Sequence, residues 1–244
     1  MRWGRVLAAS LVLLVCFSSA HAAGLRLSWE ECPEGNGQTL KQSSCNAQFA
    51  IESLVSSMEL SAPVDSVIGM EIVIDLVSDS ATLPDWWRYE PGGCNAGTMS
   101  ASGDFSALGA CGIPWNSTAT GLVQAWWGGQ PRGGANQARL IFTVFVSPTQ
   151  KVSLDAATPY YAGIVRLTHS RSSGANACAG CTVPVCLVLN SVQLLRLPGA
   201  SVEAVQVVNS GGTGNWASWQ GTTADCNLVP VRNRTWGAIK SSYR

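Results

Sequence analysis

Three cysteines stand close together in Cys178-Ala-Gly-Cys181-Thr-Val-Pro-Val-Cys186, directly ahead of the apolar run Leu187 to Leu195. Thiolates at this spacing could hold a metal or run redox exchange. A structural zinc site closes on four ligands, however, and C-x2-C-x4-C has neither a second CxxC nor a paired histidine. A redox CxxC opens a helix after a strand, whereas this one precedes a strand-like run. Disulfide chemistry remains, so neither a metal nor a cofactor is expected. Gly180 at the third position suits a type II turn, whose ends lie within about 7 Å and so within disulfide reach. Pro184 forces Val183 to be extended, and five extended residues span roughly 16 Å, which separates Cys181 from Cys186. The expected pairs are Cys178–Cys181, Cys32–Cys45 and Cys94–Cys111 around local loops, and Cys186–Cys226 by elimination.

Other catalytic chemistry has few carriers. Once a leader is removed, His169 is the one histidine, and no G-x-S-x-G or HExxH frames it. It reads as a solvated histidine at a strand end. Asp75, Asp79, Asp85, Glu90 and Asp104 are spread around one stretch and could include a glycosidase pair. They could equally be turn residues, and Asp79 and Asp85 sit where turns are expected. No phosphate-binding loop, dinucleotide fingerprint or EF-hand appears.

Aromatic residues are the more suggestive group. Trp86-Trp87 with Tyr89, and Trp126-Trp127 beside Gly128-Gly-Gln-Pro-Arg132-Gly-Gly, place large rings in or near loops. Exposed flat rings stack on sugars or anchor a protein partner. The alternative is that these rings plug the open end of a sandwich. Adjacent residues on a strand point to opposite faces, so one of Trp126 and Trp127 belongs to the core and the other to the surface.

The elements that must position these residues are strands. Residues 1–22 read as a secretory signal, with Arg2 and Arg5, an apolar run Val6 to Phe17, and Ala20-His21-Ala22 as a cleavage site. That run is too short for a spanning helix, which needs about 20 residues. Its removal takes Cys16 and leaves eight cysteines, an even number suited to an oxidising compartment. It also leaves 13 Lys+Arg against 15 Asp+Glu, with no basic stripe for nucleic acid and no polybasic membrane patch. Beyond it, Leu25 to Trp29, Phe49 to Leu60, Val67 to Val77, Thr98 to Phe105, Gly121 to Trp127, Arg139 to Val146, Tyr160 to Thr168, Pro184 to Leu195 and Val202 to Val208 have strand character. In Val67 to Val77 the alternation is interrupted by Val73 and Val77. Residues 80–112 form an insertion. Trp236, Ile239 and Tyr243 recur at helical spacing and predict a short C-terminal helix. Strands without intervening helices predict an all-β chain: an antiparallel two-sheet sandwich, jelly-roll or cohesin-like, of roughly eight strands over residues 23–244.

Leu27-Ser-Trp29-x-x-Cys32, Cys178-Ala-Gly-Cys181 with Val185-Cys186-x-Val-Leu-Asn190, Trp219-Gln-Gly and the ending Val231-Arg-Asn-Arg-Thr-Trp236-Gly-x-x-Lys240-x-x-Tyr-Arg244 resemble a group of uncharacterised secreted bacterial β-sandwich proteins. That resemblance implies an exported sandwich and transfers no activity. A second likeness, through Arg139-Leu-Ile-Phe-Thr-Val-Phe-Val and Thr158-Pro-Tyr-Tyr, is to cohesin-like and carbohydrate-binding sandwiches. No ligand residues transfer from it.

These readings predict a secreted, non-catalytic binding module, extracellular or periplasmic, without a membrane span after signal removal. Its partner would be a polysaccharide or a surface protein, met through Trp86, Trp87, Tyr89, Trp126, Trp127 and Arg132. A structural cell-surface component is the alternative, and a glycoside hydrolase comes third.

Overall fold

Period-two patterning carries directly into the longest strands. In β4 (Val64–Ser78) the side chains of Met70, Ile72, Ile74 and Leu76 are buried on one face. The computed structural model describes residues 24–115, 119, 121–131, 133–199, 204–208, 214–221 and 226. The other strands are β1 (Gly24–Trp29), β2 (Leu40–Lys41), β3 (Ile51–Glu59), β5 (Met99–Ser102), β6 (Gly121–Gly128), β7 (Gln137–Phe145), β8 (Val152–Leu154), β9 (Pro159–Thr168), β10 (Val185–Arg196), β11 (Ala204–Val208) and β12 (Trp216–Trp219). The chain is all-β, with two sheets that do not close on themselves. A four-stranded sheet runs β1-β3-β9-β5. An eight-stranded sheet runs β2-β12-β10-β4-β7-β6, with β11 on β10 and β8 on β4. The expected signal at 1–22 and helix over 233–244 lie outside the described residues.

The inner faces of both sheets share one apolar core. Leu140, Phe142 and Val144 of β7 and Leu187, Leu189, Val192 and Leu194 of β10 join the β4 row from one side. Leu25, Leu27 and Trp29 of β1, Leu54 and Met58 of β3, and Val165 and Leu167 of β9 meet them from the other. Gly163 is a point of close approach between the sheets. A Cβ there would lie 2.4 Å from the Phe142 ring, so the ring of one sheet fits only against bare backbone in the other.

The two outer faces differ. Outward-pointing Ser28, Val55 and Ser57 of the four-stranded sheet are buried. The end of the insertion, Gly103 to Gly112, is fastened on that side: Phe105 stacks on Tyr161 at 5.2 Å. The Tyr161 hydroxyl accepts the N–H groups of Ala110 (2.9 Å) and Cys111 (3.1 Å) and donates to Glu31. On the eight-stranded sheet, outward-pointing Val73 and Ile141 are only half-buried, and Trp127 (47%), Phe145 (39%) and Val208 (37%) are exposed. Among the described residues one outer face is covered, whereas the other is open along β6 and β7 and buried further on, at Asp75, Val188 and Cys186.

Four disulfides fix this arrangement, and three differ from the expected pairs. Cys32 pairs with Cys111, Cys45 with Cys181 and Cys94 with Cys178, while Cys186–Cys226 forms as elimination gave it. The expected Cys32–Cys45, Cys94–Cys111 and Cys178–Cys181 bridges are therefore corrected. The Cys178–Cys181 turn does form, with Gly180 at φ 92°. It lies against Pro84, whose Cβ would be 2.3 Å from a side chain at position 180, and the Ala179 carbonyl accepts the Trp86 N–H at 2.9 Å. Packed in this way, the turn sends its two sulfurs to separate partners: Cys178 reaches the insertion and Cys181 the loop before β3. Sequence proximity favoured local loops, but strand pairing brings the distant partners to Cα separations of 5.7 and 5.8 Å.

Candidate functional site on the open sheet face

The insertion aromatics lie inside the protein. Trp86 and Trp87 form a 3-10 turn, Asp85–Trp87, and both are fully buried, as is nearly all of Tyr89. Trp86 stacks on Trp219 at 4.9 Å and meets Trp87 edge-on at 5.0 Å, and Tyr89 meets Trp126 edge-on at 5.1 Å. Rings with no accessible face present nothing to a sugar. Trp86, Trp87, Tyr89 and the partly buried Trp126 therefore fill one end of the core and do not form a binding surface. Arg132 lies outside the described residues. Of the expected binding residues that are described, Trp127 is the exposed one.

His169 is also buried, not solvated. Its ring packs against the stacked pair, 5.8 Å from Trp86 and 5.6 Å from Trp219. Its Nε2 is 3.4 Å from Ser43 Oγ and 3.6 Å from Glu52 Oε1, and Ser43 donates to that same carboxylate oxygen at 2.5 Å. Serine and acid thus meet one ring nitrogen. A catalytic triad places the acid on the other nitrogen, so this is not relay geometry. Lys41 bridges Glu52 and Glu30, at 2.7 Å from the latter. Burial pushes Glu30 up, with the nearby Glu52 adding to it. Burial also works against the Glu52 charge, but Lys41 and Ser43 outweigh it and hold that carboxyl below its usual range.

Burial lowers the His169 pKa, against the pull of Glu52. A folded-state pKa below the unfolded value of about 6.5 means that the unfolded chain binds the extra proton just under that pH. Stability is therefore full above about pH 6.5 and falls as pH drops below it. Urea unfolding at pH 7.5 and pH 5.5 should show the lower midpoint at pH 5.5, and His169→Gln should shrink that difference. An unchanged difference would assign the effect to other groups.

The open face carries a different arrangement. Register places Trp127 of β6 opposite Arg139 of β7, Arg139 opposite Asp75 of β4, Asp75 opposite Val188 of β10, and Val188 opposite Trp216 of β12. The five residues form one row across the sheet. Asp75 is 2% exposed. Arg139 grips it with two parallel bonds, Nε to Oδ1 at 2.6 Å and Nη2 to Oδ2 at 2.8 Å, the strong two-pronged geometry of this pair. A bulge between Leu189 and Ser191 turns Asn190 onto the same face, where its amide donates to Asp75. Hydrogen bonding to Asp75 raises the Arg139 pKa, against the cost of burial. Arg139 Nη1 has no protein partner among the described residues. Trp216 is half-buried against Val188 and the Cys186–Cys226 disulfide.

Sequence reading missed Arg139, Asn190 and Trp216 as site residues and read Asp75 as a possible acid. The available signal was Val73 and Val77, the two apolar residues that broke the alternation of β4. They mark an outer face that is not simply polar.

Four of the five carboxylates grouped by sequence have separate local partners. Asp75 is held by Arg139 and Asn190, Asp85 and Glu90 both pair with Arg88, and Asp104 accepts the Ser106 N–H. Among the described residues the one cluster of three potential metal ligands is Cys32, Glu34 and Cys111, and its two sulfurs are joined to each other. A small gap between the sheets is lined wholly by apolar side chains, including Leu54, Trp87, Trp126 and Leu187. No described helix is long and apolar enough to cross a membrane. Comparison with known protein families gives no matching model, and comparison with curated proteins gives no relative.

Proposed function

We propose that the chain is an exported, non-catalytic sandwich module of cohesin-like type that binds extracellular polysaccharide on the open face of its eight-stranded sheet. The observation that carries the reading is the exposed Trp127 ring in one row with the Arg139–Asp75–Asn190 group. An indole supplies a flat apolar surface, and Arg139 and Asn190 beside it, fixed by buried Asp75, supply polar contacts. Four disulfides fit an oxidising compartment and so support export. The resemblance to secreted bacterial sandwiches points the same way.

Co-sedimentation of the full disulfide-bonded chain with amorphous cellulose and chitin tests this. Trp127→Ala should weaken binding by about 2 kcal/mol, the scale of a central tryptophan anchor, and move stability by no more than about 0.5 kcal/mol, as at other exposed positions. Trp86→Ala should instead show itself as lost stability. Absence of binding by the wild-type chain would sink the polysaccharide reading.

A second reading, docking to a surface protein or a structural assembly, is favoured by Phe49. This ring is 96% exposed on the loop before β3. The Cys45–Cys181 disulfide and the Gln48 amide, which donates to the Ser173 carbonyl at 2.8 Å, brace that loop. A braced, fully exposed ring suits a protein contact. Phe49→Ser separates the two readings, since it should leave polysaccharide binding unchanged.

A further inference from the structure

We infer that the ligand is a single extended, uncharged polysaccharide chain lying across the strands, stacked on Trp127 at one end and half-buried Trp216 at the other, with Arg139 and Asn190, both held by buried Asp75, hydrogen-bonding between them. The inference rests on the reading of the open face as a polysaccharide surface and assigns that surface its orientation, length and charge class.

Register carries the orientation. Trp127, Arg139, Asp75, Val188 and Trp216 occupy directly opposed positions on five successive strands. Opposed residues share a face, so both indoles flank the polar group on the same side of the sheet. Inward-facing Trp126 and Trp219 belong to the main core cluster, whereas Trp216 packs with the separate outer group of Cys186, Val188 and Cys226. Four strand intervals separate the two rings, roughly 19 Å at the usual spacing. A ligand that meets both rings must be a chain, and it must cross the strands.

Polarity carries the chemical class. The row reads ring, guanidinium, carboxylate, Val188, ring, with the Asn190 amide beside the carboxylate. A sugar chain offers apolar ring faces and edge hydroxyls, and these components match both. Arg139 and Asp75 cancel each other's charge, so the row favours neither a polyanion nor a polycation. The Nη1 group left free by the two-pronged pair can donate to a hydroxyl. Sheet twist, about 20–25° per strand, rotates the two rings well out of one plane over four intervals. That geometry suits an individual chain and not the flat surface of a crystalline fibre.

Calorimetric titration of the full disulfide-bonded chain with cello-oligosaccharides, from disaccharide to hexasaccharide, tests the inference, with malto-oligosaccharides as the curled-chain control. Affinity should climb with length until both rings are spanned and then level off. Trp127→Ala should weaken binding at every length. Trp216→Ala should weaken the longer oligosaccharides by about tenfold and leave the disaccharide unchanged, the pattern of a distal anchor. Because Trp216 packs on a disulfide, Trp216→Phe is made in parallel and should retain the length dependence, with near-UV circular dichroism checking the fold of each variant. Length-independent affinity, indifference of every length to Trp216→Ala in a folded chain, or preference for the malto series would overturn the crossing chain while leaving a binding face. No binding of either series by the folded wild-type chain would overturn that reading as well.

Discussion

Replacing Cys45 and Cys181 together by alanine lowers the free energy of unfolding by about 5 kcal/mol, the scale of the chain-entropy model for a loop longer than a hundred residues. The two cysteines are 136 positions apart, so the bridge restricts more of the unfolded ensemble than any other in the described chain. Cys186–Cys226 spans 40 positions, and its removal should cost about 1 kcal/mol less by the same logarithm. Urea denaturation of the two double variants, each with its other bridges intact, measures the difference. The expected order would be wrong if the Cys186–Cys226 variant were the less stable. Cys181 also adjoins the buried aromatic cluster, since its carbonyl accepts the Trp219 indole N–H at 2.6 Å. Loss of the bridge should therefore loosen the tryptophan packing as well, visible as a fall in near-UV signal before global unfolding.

Arg139→Ala is the second large effect, expected to destabilise by about 3–5 kcal/mol, because it leaves a buried carboxylate without its countercharge. Asp75 keeps Asn190 as a donor, but one amide does not replace a guanidinium. Arg139→Lys keeps the charge and loses the two-pronged geometry, so it should fall between wild type and alanine. The double variant Asp75→Leu with Arg139→Met should recover most of the loss, since removing both charges also removes their desolvation cost. Chemical denaturation of the set decides it. If the double variant were no more stable than Arg139→Ala, the penalty would lie in packing and not in the stranded charge. For binding, the double variant discards the polar centre of the row while retaining both rings, so weaker binding with recovered stability assigns Arg139 a contact role, since Asp75 is buried.

The buried histidine shows why the candidate site was only partly legible. His169 follows a strand and precedes Ser-Arg-Ser-Ser, a polar context that reads as solvent. Its burial comes from Trp86 and Trp219, 83 and 50 positions away in the chain. Trp86 and Trp87 carry the same ambiguity, and their burial favours the plugging role over the binding one. A loop tryptophan and a core tryptophan have the same local sequence signature when the loop folds back between the sheets. Trp126 and Trp127 fared better because strand alternation is a local rule. One of the pair had to face out, and the structure selects Trp127.

Local physics fixed the backbone of the fold. Period-two patterning in β4 and β7, and the apolar run of β10, announced an all-β chain of antiparallel character, and eight cysteines beyond residue 22 announced disulfides. Gly180 announced the turn in which it sits. Tertiary structure decided which cysteines pair, because disulfide reach is a matter of distance in space and strand pairing overrides sequence separation. It decided that, among the described residues, one outer face is covered by the insertion and the other exposes its β6 and β7 side, since a strand pattern records burial without naming what buries it. It also aligned Trp127, Arg139, Asp75, Val188 and Trp216, five residues spread over 142 positions in the sequence. Register between strands is a sum of many long-range contacts, and the row exists only after that sum is made.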